Sequence, residues 1–179
     1  MSEKKEKRSE RKKAKESEKR MVGRKGRRVL FMALPLEGHL NPMLQLAQIL
    51  HSNGFSITII HTTFNSPNPS KYPNFTFSCI QDALSPTQFS DLLSFLVELN
   101  VKCVEPFKEC VGKLLQSDEA AEEPVACLIS DAMCHFTQGV ADNLKLPRIV
   151  LRTSGVSSFV AFAAYPLFRE RGYISTPQG

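Results

Sequence analysis

A chain of 179 residues that is 42% hydrophobic can bury one sizeable core but hardly two. Its net charge of +5 is unevenly placed: residues 1–28 hold 14 Lys/Arg against 5 Asp/Glu, which leaves 9 against 13 for residues 29–179. The basic character belongs to a leading tail, so any nucleic-acid contact has only that tail to rest on.

Residues 1–26 have almost no apolar side chains to offset the entropy of ordering, and a disordered basic tail is expected there. Its charge would suit a nucleic-acid patch, an import signal or a membrane-surface tether. No aromatic residues interleave the charges as a single-strand binder needs, so a solvated extension without nucleic-acid contact is the expectation. The first apolar run, "VLFMALPL", is too short for a secretory leader and is closed by Pro35 and Glu37. No run approaches the ~20 apolar residues of a membrane span. A cytoplasmic protein is therefore expected. The five cysteines (Cys79, Cys103, Cys110, Cys127, Cys134) are odd in number with no C-x-x-C, which favours reduced core thiols over a disulfide framework. Without export, the "NFT" sequon at Asn74 reads as coincidence.

After the tail the chain alternates between strand and helix patterns. "RRVLFMAL" (27–34) is a nearly continuous apolar run, the pattern of a strand buried on both faces. A helix over "NPMLQLAQILHSNG" (41–54) is expected next, with Asn41 as N-cap, Pro42 at the first helical position and Gly54 as terminator. Met43, Leu46, Ala47 and Leu50 give it one apolar face. "FSITIIHT" (55–62) and "FTFSCI" (75–80) predict two more strands, separated by a loop with three prolines. The stretch 85–117 predicts a long helical region divided or kinked at Pro106. An acidic loop, "DEAAEEP", leads to "VACLISD" (125–131), the clearest buried strand of the chain. A helix through "FTQGVADNLKL" (136–146), a strand "RIVLRT" (148–153) and an apolar helix over about 156–171, kinked at Pro166 and stopped by Gly172, complete the pattern.

This alternation predicts an α/β fold: a Rossmann-like parallel sheet with helices on both faces, right-handed crossovers and strand order 3-2-1-4-5. Ligands of such sheets bind outside the carboxyl ends of the strands, where the order reverses. His39 follows strand 1 and Asp131 ends strand 4. On neighbouring strands, about 4.8 Å apart, both would stand at the ligand-binding edge. A histidine ahead of a helix is more often incidental than not; a carboxylate at the adjacent strand end is what provides a partner. Together they form the minimal unit for activating a hydroxyl, the imidazole taking the proton and the carboxylate holding the other ring N–H.

The remaining polar candidates carry less. His51 sits where a cation suits a helix C-terminus, and a structural role is expected. His61 ends strand 2 with nothing evident to pair with it. Cys134-His135 has no second Cys/His group at ligand spacing, so core packing is expected rather than metal. "TSGVSS" (153–158) is not G-x-S-x-G and reads as a hydroxyl-rich helix start that could still contact a ligand. The first βα turn has a single glycine, Gly38, and no G-x-G-x-x-G or P-loop occurs anywhere. That turn is not built to hold a pyrophosphate, so a nucleotide would have to be bound by another domain.

"GHLNPM", "LISD" and "LPRIVLRTS", in this order and spacing, resemble the plant UDP-dependent glycosyltransferases (glycosyltransferase family 1, GT-B fold). The resemblance runs from about residue 27 to 174. It implies the N-terminal acceptor-binding half of a two-domain enzyme, in which the second domain binds the UDP-sugar, here expected to be UDP-glucose. It assigns the general base to His39 and its orienting carboxylate to Asp131. It further implies a direct displacement at the anomeric carbon with inversion and without metal. The acceptor would be a small lipophilic molecule, with Gly38, Thr153 and Ser154 at its site. The family's nucleotide-binding signature, rich in Trp, His, Gly and Glu, is absent, and the chain contains no tryptophan. Residues 27–179 therefore read as an incomplete acceptor domain, followed by no donor domain. Two products are compatible with this: part of a hexosyltransferase inactive by itself, or a non-catalytic binder of a lipophile or a protein partner.

Overall fold

A computed structural model describes residues 27–81, 84, 91–117 and 123–174. The basic tail over 1–26, the start of the long helical region, most of the acidic loop and residues 175–179 lie outside these.

Strands β1 (Arg28–Met32), β2 (Ser56–Thr62), β3 (Thr76–Ile80), β4 (Val125–Asp131) and β5 (Arg148–Leu151) form one sheet in the order β3-β2-β1-β4-β5. Every pairing is parallel. Central β1 is buried along its whole length, and its alternating side chains feed two cores. Val29 and Phe31 pack with Leu40, Met43, Leu44 and Ala47 of helix α1 (Glu37–Ser52). Leu30 and Met32 pack with α2 (Leu92–Lys102), α3 (Val104–Gln116) and α4 (Phe136–Asn143), through Leu99, Phe107 and Val140. Helices thus cover both faces, as the alternation predicted. The apolar run over 29–32 follows from that: a strand covered on both sides has no solvent face for polar residues.

Helix α1 departs from its expected start. It begins at Glu37 rather than Asn41; its N-cap is Leu36, without a side-chain cap, and the Leu36 carbonyl accepts from the His39 and Leu40 N–H groups. Packing overrides the capping preference. Leu40 belongs to the buried face with Met43, Leu44 and Ala47 at i, i+3, i+4 and i+7, and that face is complete only if the helix includes it. Pro42 then lies within the helix, so the Gly38 carbonyl lacks its i+4 donor. The other end is as expected. Gly54 takes φ +85°, its N–H donates to His51 O, and Phe55 N–H to Leu50 O, a Schellman termination.

The long helical region divides at Cys103, three residues before Pro106. Pro106 falls in the first turn of α3, where a missing N–H costs little. Its effect is displaced by three residues rather than absent.

Helix α4 ends in the same motif as α1, but with Lys145 in the left-handed position at φ +55°. Lys145 N–H donates to Asp142 O and Leu146 N–H to Ala141 O. A side chain in that conformation costs about 1–2 kcal/mol. Lys145→Gly is therefore expected to raise stability by roughly 1 kcal/mol, read as a higher urea midpoint at unchanged slope. A lower midpoint would show that the lysine is held there favourably.

Helix α5 (Val156–Glu170) contains Pro166 and stops at Gly172, φ +72°, with Tyr173 N–H donating to Phe168 O. It has no buried residue: Val156 is 79% and Phe162 57% exposed. Edge strand β5 is also open, with Ile149 54% exposed. The Arg152 guanidinium lies over the Phe159 and Phe162 rings, at 5.5 and 5.1 Å from their centroids. Among the described residues no helix is long and apolar enough to cross a membrane.

Candidate active site

The carboxyl ends of β1, β4 and β5 meet at one point of the sheet edge. β1 and β4 are hydrogen-bonded neighbours, with Met32 opposite Ser130, so Asp131 stands beside the exit of β1. There the first turn of α1 carries His39 over the edge. The imidazole Nδ1–H donates to Asp131 Oδ2 at 2.8 Å. The other carboxylate oxygen, Oδ1, accepts the Met133 N–H at 2.8 Å. Asp131 is 1% exposed and His39 28%. A buried carboxylate whose oxygens both accept is held in its acceptor role, which assigns the proton to Nδ1 and leaves Nε2 with a free lone pair.

Thr153, just past β5, adds a third group that the sequence had assigned only to acceptor contact. Its Oγ1 lies 2.9 Å from the same His39 Nδ1. Since Nδ1 carries the proton, Oγ1 takes a share of that N–H alongside Asp131. Ala132 N–H donates to Leu151 O, which ties the turn after β4 to the end of β5. The first βα turn is also held: Asn65, in the loop after β2, donates from its side-chain amide to Pro35 O at 3.1 Å.

The other sequence candidates fall apart from this cluster. Gly38 is exposed, and a Cβ built on it meets nothing within 4 Å, so the position is open rather than sterically reserved for glycine. Ser154 is exposed. His51 donates from Nδ1 to Phe55 O and meets the Phe75 ring edge-on, a structural use. His61 donates to Thr62 O and packs against Phe77. Burial pushes the Cys134 thiol well up, the nearby Asp131 charge adding to this, so it stays protonated and inert as a nucleophile. All five cysteines are thiols. No group of three or more His, Cys, Asp or Glu is placed to hold a metal ion among the described residues.

A cavity of about 690 Å³ lies between β3 and α3, lined by Ser78, Gln81, Glu105, Glu109, Cys110 and Lys113 among others. It shares no lining residue with the His39–Asp131 pair. The chemistry-bearing groups lie at the strand ends instead, beside the switch in strand order, where sheets of this kind form their binding crevice. Glu37, in the first turn of α1, places a negative charge where a pyrophosphate would seek a helix N-terminus. The turn is thus unsuited to phosphate on electrostatic grounds as well as for want of glycines.

Comparison with known proteins agrees with this architecture. No family model matches the chain. UDP-glycosyltransferase 76B1 of Arabidopsis thaliana is 49% identical over 158 residues, covering 87% of this chain and 34% of the relative. UDP-glycosyltransferase 76G1 of Stevia rebaudiana is 41% identical over 159 residues, 84% of this chain and 34% of the relative. The chain thus spans about a third of the length of the curated relatives it matches, at their N-terminal portion. Among solved structures, Phytolacca americana UGT2 complexed with UDP-2fluoro-glucose and pterostilbene superposes with TM-score 0.67 at 18% identity, over 84% of this chain and 36% of that one. Os79 from O. sativa, in complex with U2F and trichothecene, gives 0.65 at 22% identity, over 83% and 33%. At such identities the structural likeness speaks for the fold.

Proposed function

From its homology to the N-terminal portion of the plant UDP-glycosyltransferases, we propose that this chain supplies the acceptor-side half of a sugar-transfer reaction, with His39 as general base. The donor is a UDP-sugar, by our reading UDP-glucose, held mainly by a part of the relatives' length that this chain does not match. The acceptor is a small lipophilic molecule carrying a hydroxyl or carboxyl group. His39 Nε2 takes the hydroxyl proton as the acceptor oxygen attacks the anomeric carbon. UDP leaves from the opposite face with the electrons of the C–O bond, and the configuration inverts. Asp131 keeps Nδ1 protonated throughout and balances the imidazolium that forms. This proton and charge handling requires no metal. Thr153 steadies the imidazole and, by our reading, contacts the acceptor together with the exposed Gly38 and Ser154. Reduced thiols suit a cytoplasmic setting.

The observation that carries the reading is the 2.8 Å bond between His39 Nδ1 and a buried Asp131. The 179-residue chain alone is expected to release no UDP from UDP-glucose in the presence of phenolic and terpenoid acceptors. A fusion to the remainder of one of the relatives is expected to do so. Turnover by the chain alone would refute the division of labour, and an inactive but folded fusion would refute the acceptor-side role.

A second reading, a non-catalytic binder of a lipophile or a protein, is favoured by one feature: the apolar helix α5, which has no buried residue. Binding of lipophilic acceptors by the chain, with a fusion that never turns over, would support it.

A further inference from the structure

We propose that Asn100, on the far helix α2, is a positioning residue for Asp131; this rests on the His39–Asp131 reading above. The Asn100 side chain spans the turn that follows β4. Its Nδ2 donates to Met133 O at 2.9 Å and to Leu96 O, one helical turn back, at 2.9 Å. Its Oδ1 accepts the Phe136 N–H at 3.0 Å. Only this amide orientation satisfies all three bonds, since two carbonyls face the nitrogen and one N–H faces the oxygen.

The two long-range bonds act on both ends of the turn. Phe136 is the first residue of α4, whose N-cap His135 provides no side-chain bond. Its N–H would be one of the orphan donors of a helix start, and Asn100 satisfies it from another helix. Met133 is gripped at its carbonyl by Asn100 while its own N–H donates to Asp131 Oδ1. A continuous path therefore runs from α2 through Met133 to the carboxylate, and from the carboxylate to His39 Nδ1. Asn100 touches neither the imidazole nor the crevice, so its effect reaches His39 only through the aim of Asp131. An amide is required rather than any polar group: aspartate at 100 would keep the bond to Phe136 N–H but set a carboxylate against two carbonyls.

The test uses the whole 179-residue chain labelled with ¹⁵N and reads the His39 tautomer by long-range ¹H–¹⁵N correlation, at a pH where histidine is neutral. The wild type is expected to show the Nδ1–H tautomer. Asn100→Asp and Asn100→Ala are expected to give mixed tautomers with an otherwise native amide spectrum. Exchange of the Met133 amide should speed by at least ~10-fold, the loss of about one hydrogen bond's contribution. Val111→Ala, which thins the core under α3 without reaching the turn, should lower stability and leave the tautomer unchanged. Folded Asn100 variants that keep the wild-type tautomer and Met133 exchange rate overturn the proposal while sparing the His39–Asp131 pair. A wild type lacking the Nδ1–H tautomer overturns the pair itself. If neither Asn100 variant folds, the residue supports the fold at large and the proposal is likewise overturned.

Discussion

Alanine in place of His39 is expected to lower sugar transfer at least about 100-fold in a fusion of this chain to the remainder of one of its relatives, with UDP-glucose binding unchanged. A positioned general base contributes roughly 10²–10⁴ in rate, equivalent to about 3–5 kcal/mol of barrier. The expectation rests on the lack of a substitute base among the described residues: Thr153 lies on the Nδ1 side, and His61 is bonded to its own strand end. Steady-state rates with a phenolic acceptor, alongside calorimetric titration of UDP-glucose, separate chemistry from donor binding. Activity within tenfold of the parent sinks the assignment. Asp131→Asn is the more informative partner variant, because its amide oxygen can still accept the Met133 N–H. Its nitrogen then faces His39 Nδ1 as a donor and drives the ring proton to Nε2, where it blocks proton uptake. A loss equal to or smaller than that of the histidine variant is expected, since the carboxylate acts only through the ring.

The largest expected effect on stability belongs to Phe107→Ala. Phe107 is wholly buried in α3, and its ring meets Phe136 of α4 edge-on at 5.4 Å between centroids. Cys103, Val111 and Val140 belong to the same core, so the site has little freedom to collapse. Such truncations cost about 3–5 kcal/mol, and the edge-to-face pair adds of order 1 kcal/mol of its own. Against a domain stability of about 5–15 kcal/mol this leaves the chain near its threshold. Urea unfolding followed by circular dichroism should show a much lower midpoint at similar slope. A loss below about 1 kcal/mol would mean that α3 and α4 repack around the gap, and that their contact matters little to the sheet beneath.

Much of this architecture is legible from local pattern. An uninterrupted apolar run such as that of β1 is stable only between two layers of helix, which with the strand–helix alternation dictates a parallel sheet. From that order alone, strands 1 and 4 are neighbours, and His39 and Asp131 arrive at one edge. Termination at Gly54 and Gly172 is equally local, because only a residue free of Cβ strain takes the left-handed turn cheaply.

Other features were settled by tertiary packing. The Asn41-Pro42 pair has every local mark of a helix start, yet burial of Leu40 draws the helix back to Glu37 and moves His39 from a turn onto the first helical turn. The break before α3 falls at Cys103, which is buried in the core, so that Pro106 sits where its missing N–H is harmless. Neither the contact of Thr153 with the imidazole nor that of Asn100 behind the carboxylate has any signal in sequence spacing. Their partners are 114 residues away in the first case and 33 and 36 in the second. Local pattern was enough to bring His39 and Asp131 to one sheet edge, because strand order follows from connection rules. The aim of the imidazole lay beyond it, because aim depends on hydrogen bonds between elements that are adjacent in the fold and remote in the chain.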